Sequence, residues 1–236
     1  MTSPPEIQEC KRCGTCCQKG GPALHQADKV LVDEGVLPAN GLYTLRRGEL
    51  AEDSISGTLV TLTFELIKVK GLQETRGCLF YDAPQGSCRI YDNRPLECRL
   101  LKCWDTQDLE RVYSDRRLVR HDVLKEFEGM WDIIADHENR CSYETLKNLV
   151  RQLQHSDRDA AVNMIVEIVR YDTEIRKLVS EKGGLDPGLN DFLLGRPLTE
   201  TIRMFGLRVQ ETEGKYIVTK QGWDYTSSSE VNQTMA

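Results

Sequence analysis

The sequence predicts an α+β fold in three parts. A small metal-organised, cysteine-rich domain with short β-hairpins and helices is expected over residues 1–105. A mainly helical region follows over 106–222 and closes on a hairpin, and a disordered tail is expected over 223–236. Eight of the nine cysteines fall within the first 103 residues. Short β-prone runs broken by turn residues fill the front, whereas helical apolar spacing takes over after Trp104. With 236 residues, 39% of them hydrophobic, the chain is long and apolar enough to bury its own core.

Leu24, Ala27, Leu31 and Val32 are spaced for a helix over 23–34, with Gly35 closing it. Residues 61–69 form a β-prone run. Its apolar positions 62, 64 and 66 give way to 67 and 69, a phase change that predicts a bulge or burial on both faces. Cys78 and Cys88 flank Asp82-Ala-Pro-Gln-Gly-Ser, a turn-rich linker that predicts a hairpin bringing the two thiols together. Pro95 suits the first turn of a helix capped by Asn93, with Cys98 and Cys103 in or just after it. Further on, 121–130, 142–153 and 157–180 read as helices. The last places Ala161, Met164, Ile165, Ile168, Tyr171, Ile175, Leu178 and Val179 on one stripe, the face expected to meet the core. Ser156 or Asp157 would cap it and Gly183-Gly184 would stop it. Asp186-Pro187 and Arg196-Pro197 open two short helical stretches. Residues 206–219 read as a hairpin turning at Glu213-Gly214.

Charge and hydropathy narrow the functional classes. The formal charge is −6, the pI about 5.4 and the mean hydropathy −0.46, which argues against a broad nucleic-acid footprint. No window approaches the apolar length of a membrane span. The opening MTSPPEIQECKRC lacks the apolar stretch of a secretory leader, so a cytoplasmic location is expected.

In that compartment thiols stay reduced, so clustered cysteines predict metal ligation before disulfides, and an odd number cannot all pair. The first group is Cys10-Lys-Arg-Cys13-Gly-Thr-Cys16-Cys17. A C-x2-C step lets two thiolates meet one ion at about 2.3 Å from each sulfur, and Gly14 lends the loop backbone freedom. The ferredoxin spacing and the C-x3-C-x2-C spacing both fail at Gly20, where a further cysteine belongs. The second group is Cys78, Cys88, Cys98 and Cys103. All eight are candidate ligands. In an extended segment the side chains of Cys16 and Cys17 would diverge, a geometry that favours two centres, a polynuclear cluster or one free thiol. Lys11, Arg12, Arg89, Arg94, Arg99 and Lys102 stand near the cysteines in sequence and are candidates to compensate and tune an anionic centre. The adjacent pair and these cations favour an iron–sulfur cluster over zinc. His25 reads as a surface or capping histidine, and Cys141 as a packing thiol.

The two groups together resemble a known family. Cys10-x2-Cys13-x2-Cys16-Cys17, then Gly77-Cys78-Leu79-Phe80, Cys88-Arg89-Ile90-Tyr91 and Arg94-Pro95-Leu96-Glu97-Cys98-Arg99, are similar to the YkgJ-type cysteine-cluster family, a zinc- or iron-chelating domain. The resemblance implies a metal centre held by Cys10, Cys13, Cys16, Cys17, Cys78, Cys88 and Cys98. A relative, the flagellin lysine N-methylase, implies S-adenosylmethionine-dependent methyl transfer to a protein substrate. After Arg99 the pattern departs: Leu100-Leu101-Lys102-Cys103 stands where an aromatic residue and a proline are usual, and Cys103 is read as an extra ligand.

Two functional readings follow. In the first, a cysteine-ligated iron–sulfur centre has a redox or methyl-transfer role. In the second, a structural zinc module carries a helical protein-interaction region and no catalysis. A metal carrier or sensor is a third class. No G-x-G-x-x-G turn or βαβ alternation is present, so any S-adenosylmethionine site is not the doubly wound one. The acidic run Asp105, Asp108, Glu110 and Asp115 reads as a solvated face.

Overall fold

The computed structural model describes residues 10, 12–72, 75, 77–124, 128–154, 158–212 and 215–220. Gly14 adopts φ 75, a left-handed conformation that opens the helical turn α1 (Thr15–Gln18) directly behind it. The helix expected over 23–34 starts late. Ala23 is drawn to Lys68 as an isolated bridge, a 3₁₀ turn spans Gln26–Asp28, and α2 covers only Lys29–Asp33 before Gly35 turns at φ 73.

Four short strands follow: β1 (Leu42–Leu45), β2 (Leu50–Glu52), β3 (Leu59–Thr61) and β4 (Leu66–Val69). They nest, with β1 antiparallel to β4 and β2 antiparallel to β3. The run expected to be continuous over 61–69 is therefore two strands serving different sheets. The break is fixed from outside: Leu62 exchanges backbone hydrogen bonds with Gly48 and Glu49, and the Glu65 carboxylate accepts from Arg120. The Cys78–Cys88 hairpin is present as β5 (Tyr81–Asp82) and β6 (Ser87–Cys88), with Tyr81 opposite Cys88.

Helix α3 (Leu96–Leu100) carries Cys98, and α4 (Gln107–Val112) occupies the acidic run. Asn93 does not cap α3. That place belongs to Asp28, whose Oδ1 accepts from Leu96 N at 2.7 Å while its Oδ2 accepts from His25 N at 2.9 Å. The helices beyond are α5 (Arg120–Val123), α6 (Glu128–Arg140), α7 (Tyr143–Gln152), α8 (Arg158–Glu181), α9 (Asn190–Leu194) and α10 (Leu198–Thr201). The helix expected over 121–130 is thus divided between α5 and α6, with 125–127 outside the described residues. Ser142 caps α7 by accepting from Thr145 N. The chain closes on the antiparallel pair β7 (Leu207–Thr212) and β8 (Lys215–Lys220). Ser156, Asp157, Glu213, Gly214, Lys11 and the tail over 223–236 lie outside the described residues.

The result is α+β: helices with four two-stranded antiparallel sheets among the described residues. Two apolar clusters fill it. One mixes the two sides of residue 105: Leu24, Leu42, Ile67, Val69, Cys78 and Tyr81 pack with Leu118, Ile134, Phe192 and Leu194. The other gathers Leu146, Leu149, Ala161, Ile165, Val169, Leu198, Ile202 and Leu207. The buried face of α8 differs from the expected stripe. Met164 and Leu178 are 49% and 44% exposed, whereas Val169, Asp172 and Arg176 are buried. Asp172 accepts from His137 Nε2 (2.7 Å), Arg176 Nε (3.0 Å) and Leu198 N (2.8 Å), so a carboxylate joins α6, α8 and α10. No described helix is long and apolar enough to cross a membrane.

Candidate metal centre

All nine cysteines are free thiols, so no disulfide competes with ligation. The first group enters the site through α1. Because Gly14 starts a helical turn, Cys16 and Cys17 are not in an extended segment, and their sulfurs lie 3.9 Å apart. The divergence expected of the adjacent pair does not occur. About 3.8 Å is the edge of a tetrahedron built with 2.3 Å metal–sulfur bonds, so this pair is spaced to share one ion.

The second group is brought to the first by backbone. Cys78 N donates to Cys17 O at 2.7 Å, and Gly20 N donates to the same carbonyl at 3.3 Å. The ring of Tyr81 lies against Gly14: a Cβ there would stand 2.1 Å from the tyrosine oxygen, so the loop and the hairpin fit only with glycine. Tyr81 lies opposite Cys88 in the hairpin, which orients that thiol beside Cys78.

Charge shows which sulfurs share a volume. Burial first, and then Cys16, Cys78 and Cys88, push the Cys17 thiol up to about 12. Burial also raises Cys78, helped by Cys88 and Cys16 and opposed by the Phe80 N–H and Arg89. Cys98 is raised by burial first and then by Cys78, Cys16, Cys17 and Cys88. Five thiols from α1, the hairpin and α3 are thus within mutual electrostatic reach. Among the described residues no three cysteine sulfurs lie within 4.8 Å of one another, so the five are gathered but not drawn into a closed shell. Cys10, Cys13 and Cys103 are exposed, as is Cys16 within the five. Cys10 accepts from Arg12 N at 3.4 Å, and Cys13 Sγ meets Thr15 Oγ1 at 3.2 Å.

Three of the six cations proposed to tune the centre have other work. Arg12 takes φ 54 and stacks on Tyr91 with its guanidinium carbon 4.0 Å from the ring centroid, and Arg94 stacks on the same ring at 3.7 Å. This double stack ties the first cysteine loop to the second group. Lys102 pairs with Asp108 at 2.6 Å. Arg89, which donates to Leu79 O, lowers the pKa of Cys78 by its charge.

Polar residues that the sequence did not flag fix α3. Glu97 accepts from Ala23 N (2.8 Å) and Arg117 Nη1 (2.6 Å). Burial pushes its pKa up, but His25 and Arg117 more than offset this and hold it down. His25 is buried and is not available to a metal in this arrangement: Nδ1 lies 2.7 Å from Asp115 O and Nε2 lies 2.9 Å from Arg117 Nη1. Only the place of Glu97 inside Arg-Pro-Leu-Glu-Cys-Arg could have drawn attention to it.

A second set of potential donors, His137, Cys141 and Asp172, is fully buried with its atoms within 4.8 Å of one another. Asp172 already accepts three hydrogen bonds there, and the charges of Arg46 and Arg176 act on His137. A cation would enter against two guanidinium groups, so this set reads as a structural polar cluster. Cys141 is the packing thiol expected, pushed up to about 12 mainly by burial.

Residues 9–116 match the model of the CxxCxxCC family, whose description is "Putative zinc- or iron-chelating domain". This stretch, which holds both cysteine groups, is similar to that family. The match takes in α4 and ends before α5, so α5 to α10 lie outside it. No curated protein and no solved structure matches the chain.

Proposed function

We propose that this CxxCxxCC domain chelates a single zinc or iron ion through four thiolates drawn from Cys16, Cys17, Cys78, Cys88 and Cys98. The ion fastens the loop over 10–20 to the hairpin and to α3. One observation carries this reading: thiols from three separate segments lie within electrostatic reach of one another, with the Cys16 and Cys17 sulfurs 3.9 Å apart and the Cys78 N–H bonded to the Cys17 carbonyl. Crowded thiols either stay protonated or give up protons to a cation, and soft sulfur donors suit zinc and iron.

Two observations support one ion over an iron–sulfur cluster. The 3.9 Å separation of Cys16 and Cys17 suits a shared tetrahedral ion. Arg12, Arg94 and Lys102, counted in favour of an anionic cluster, are engaged with Tyr91 and Asp108. The role is structural because Cys78 belongs to the main apolar cluster and Cys17 packs against it. Four thiolates on one ion leave no open position, so neither redox cycling nor methyl transfer is needed to account for the site.

Metal and acid-labile sulfide analysis of anaerobically purified protein tests this. The expected result is one zinc or iron ion per chain without labile sulfide. Stoichiometric labile sulfide would replace the single ion with a cluster. Cys17→Ser and Cys98→Ser should each lose the metal and cost on the order of several kcal/mol in stability, whereas Cys141→Ser should keep it. Full metal content in both site variants would overturn the reading.

A further inference from the structure

A pocket of about 560 Å³ opens away from the cysteines, between the turn after β1 and one face of α6. Helix α6 lines it with Trp131, Ile134, Ala135, Glu138 and Asn139, positions that recur at helical spacing. Phe64, 47% exposed, faces it from the break between β3 and β4. The volume lies in the range of small-molecule sites, about 300–1,000 Å³.

The charges on its walls are unequal. Glu65 accepts from the Arg120 backbone N (2.7 Å) and from its guanidinium (2.6 and 3.0 Å). Glu138 accepts from Arg120 Nη2 at 2.7 Å and lies 3.5 Å from Arg46 Nη1. Arg120 spends its remaining nitrogen on Leu193 O. Both carboxylates are thereby committed to buried arginines, and a ligand cation could recruit one only by stripping it from its partner. Arg47 differs. It is exposed in the turn that buries its neighbour Arg46, it lines the pocket, and it has no acceptor among the described residues.

We infer that this pocket binds a small organic carboxylate with a flat aromatic or apolar body. The carboxylate is directed to Arg47, and the body lies against Trp131 and Phe64. One cation that is uncommitted among the described residues matches a monoanion, and an aromatic wall offers a planar body offset stacking and dispersion contacts. Most of the walls lie beyond residue 116, so the inference stands apart from the metal reading.

The test uses the full chain with Trp104→Phe and Trp223→Phe, which leaves Trp131 as the sole tryptophan. Its emission is followed during titration with 3-phenylpropionate and, separately, with phenethylamine, the cationic counterpart. The expected result is a saturable millimolar response to the carboxylate, weakened about tenfold or more by Arg47→Glu and by the exchange of anion for cation. Ala135→Phe, which fills the void, should abolish the response while circular dichroism is unchanged. No saturable response, equal binding of the amine, or unchanged affinity in Arg47→Glu would overturn the inference.

Discussion

The thiol-bearing front and the helical rear reach order by different routes. Around the cysteines the elements are minimal: β5 and β6 have two residues each, α1 four and α3 five. None is long enough to persist in isolation. They are held by cross-connections: the Cys78 to Cys17 backbone bond, the Asp28 cap on α3, the double stack on Tyr91 and the shared thiols. In the rear, α7 and α8 run 10 and 24 residues, and their apolar faces close a cluster with β7 and α10. Burial of apolar surface dominates there, with the Asp172 carboxylate tying α8 to α6 and α10. The front adds bonds between segments and buried carboxylates to its share of the main apolar cluster, because its elements are too short to hold by packing alone.

The contrast can be broken from the rear first. Ile165 is fully buried, and Ile165→Ala should cost about 2–5 kcal/mol by leaving a cavity. Urea denaturation measures the loss, and metal content should stay at the wild-type level. A fall in metal content at a position so far into the rear cluster would mean that the two regions are not separately built.

In the front, Asp28→Ala should cost about 1–3 kcal/mol, because the N–H groups of Leu96 and His25 lose their buried acceptor. Amide exchange should accelerate in α3 and leave α8 unchanged. An unaltered rate at Leu96 would separate α3 from the carboxylate that caps it. The smallest effect is expected from Arg12→Ala, about 0.5–1 kcal/mol for one of two cation–π contacts on Tyr91. Its clearer readout is faster metal release to a competing chelator. If the release rate does not change, the stack plays no part in closing the loop.

The legibility of the fold followed the range of the forces involved. The Cys78–Cys88 hairpin could be read because its turn chemistry is local, and the rear helices because their periodicity is long. The break between β3 and β4 could not, because Leu62 and Glu65 answer to Glu49 and Arg120 rather than to their neighbours. The face of α8 was misjudged for a related reason. Apolar spacing counts Met164 and Leu178, which are exposed, and passes over Asp172 and Arg176, which are buried because they satisfy each other.

At the site, the convergence of Cys16 and Cys17 with Cys78, Cys88 and Cys98 follows the two-group pattern seen in the sequence. The geometry of the adjacent pair was misread because one left-handed glycine turns an extended loop into a helical turn. Asp28, Glu97 and Tyr91, which position the cysteines without being thiols, carry no signature in a list of candidate ligands.

X-ray absorption at the metal edge of the metal-replete chain tests the central claim most directly. Four sulfur neighbours at about 2.3 Å with no metal–metal vector are predicted. A shell of nitrogen and oxygen, or a second metal at short range, would contradict it.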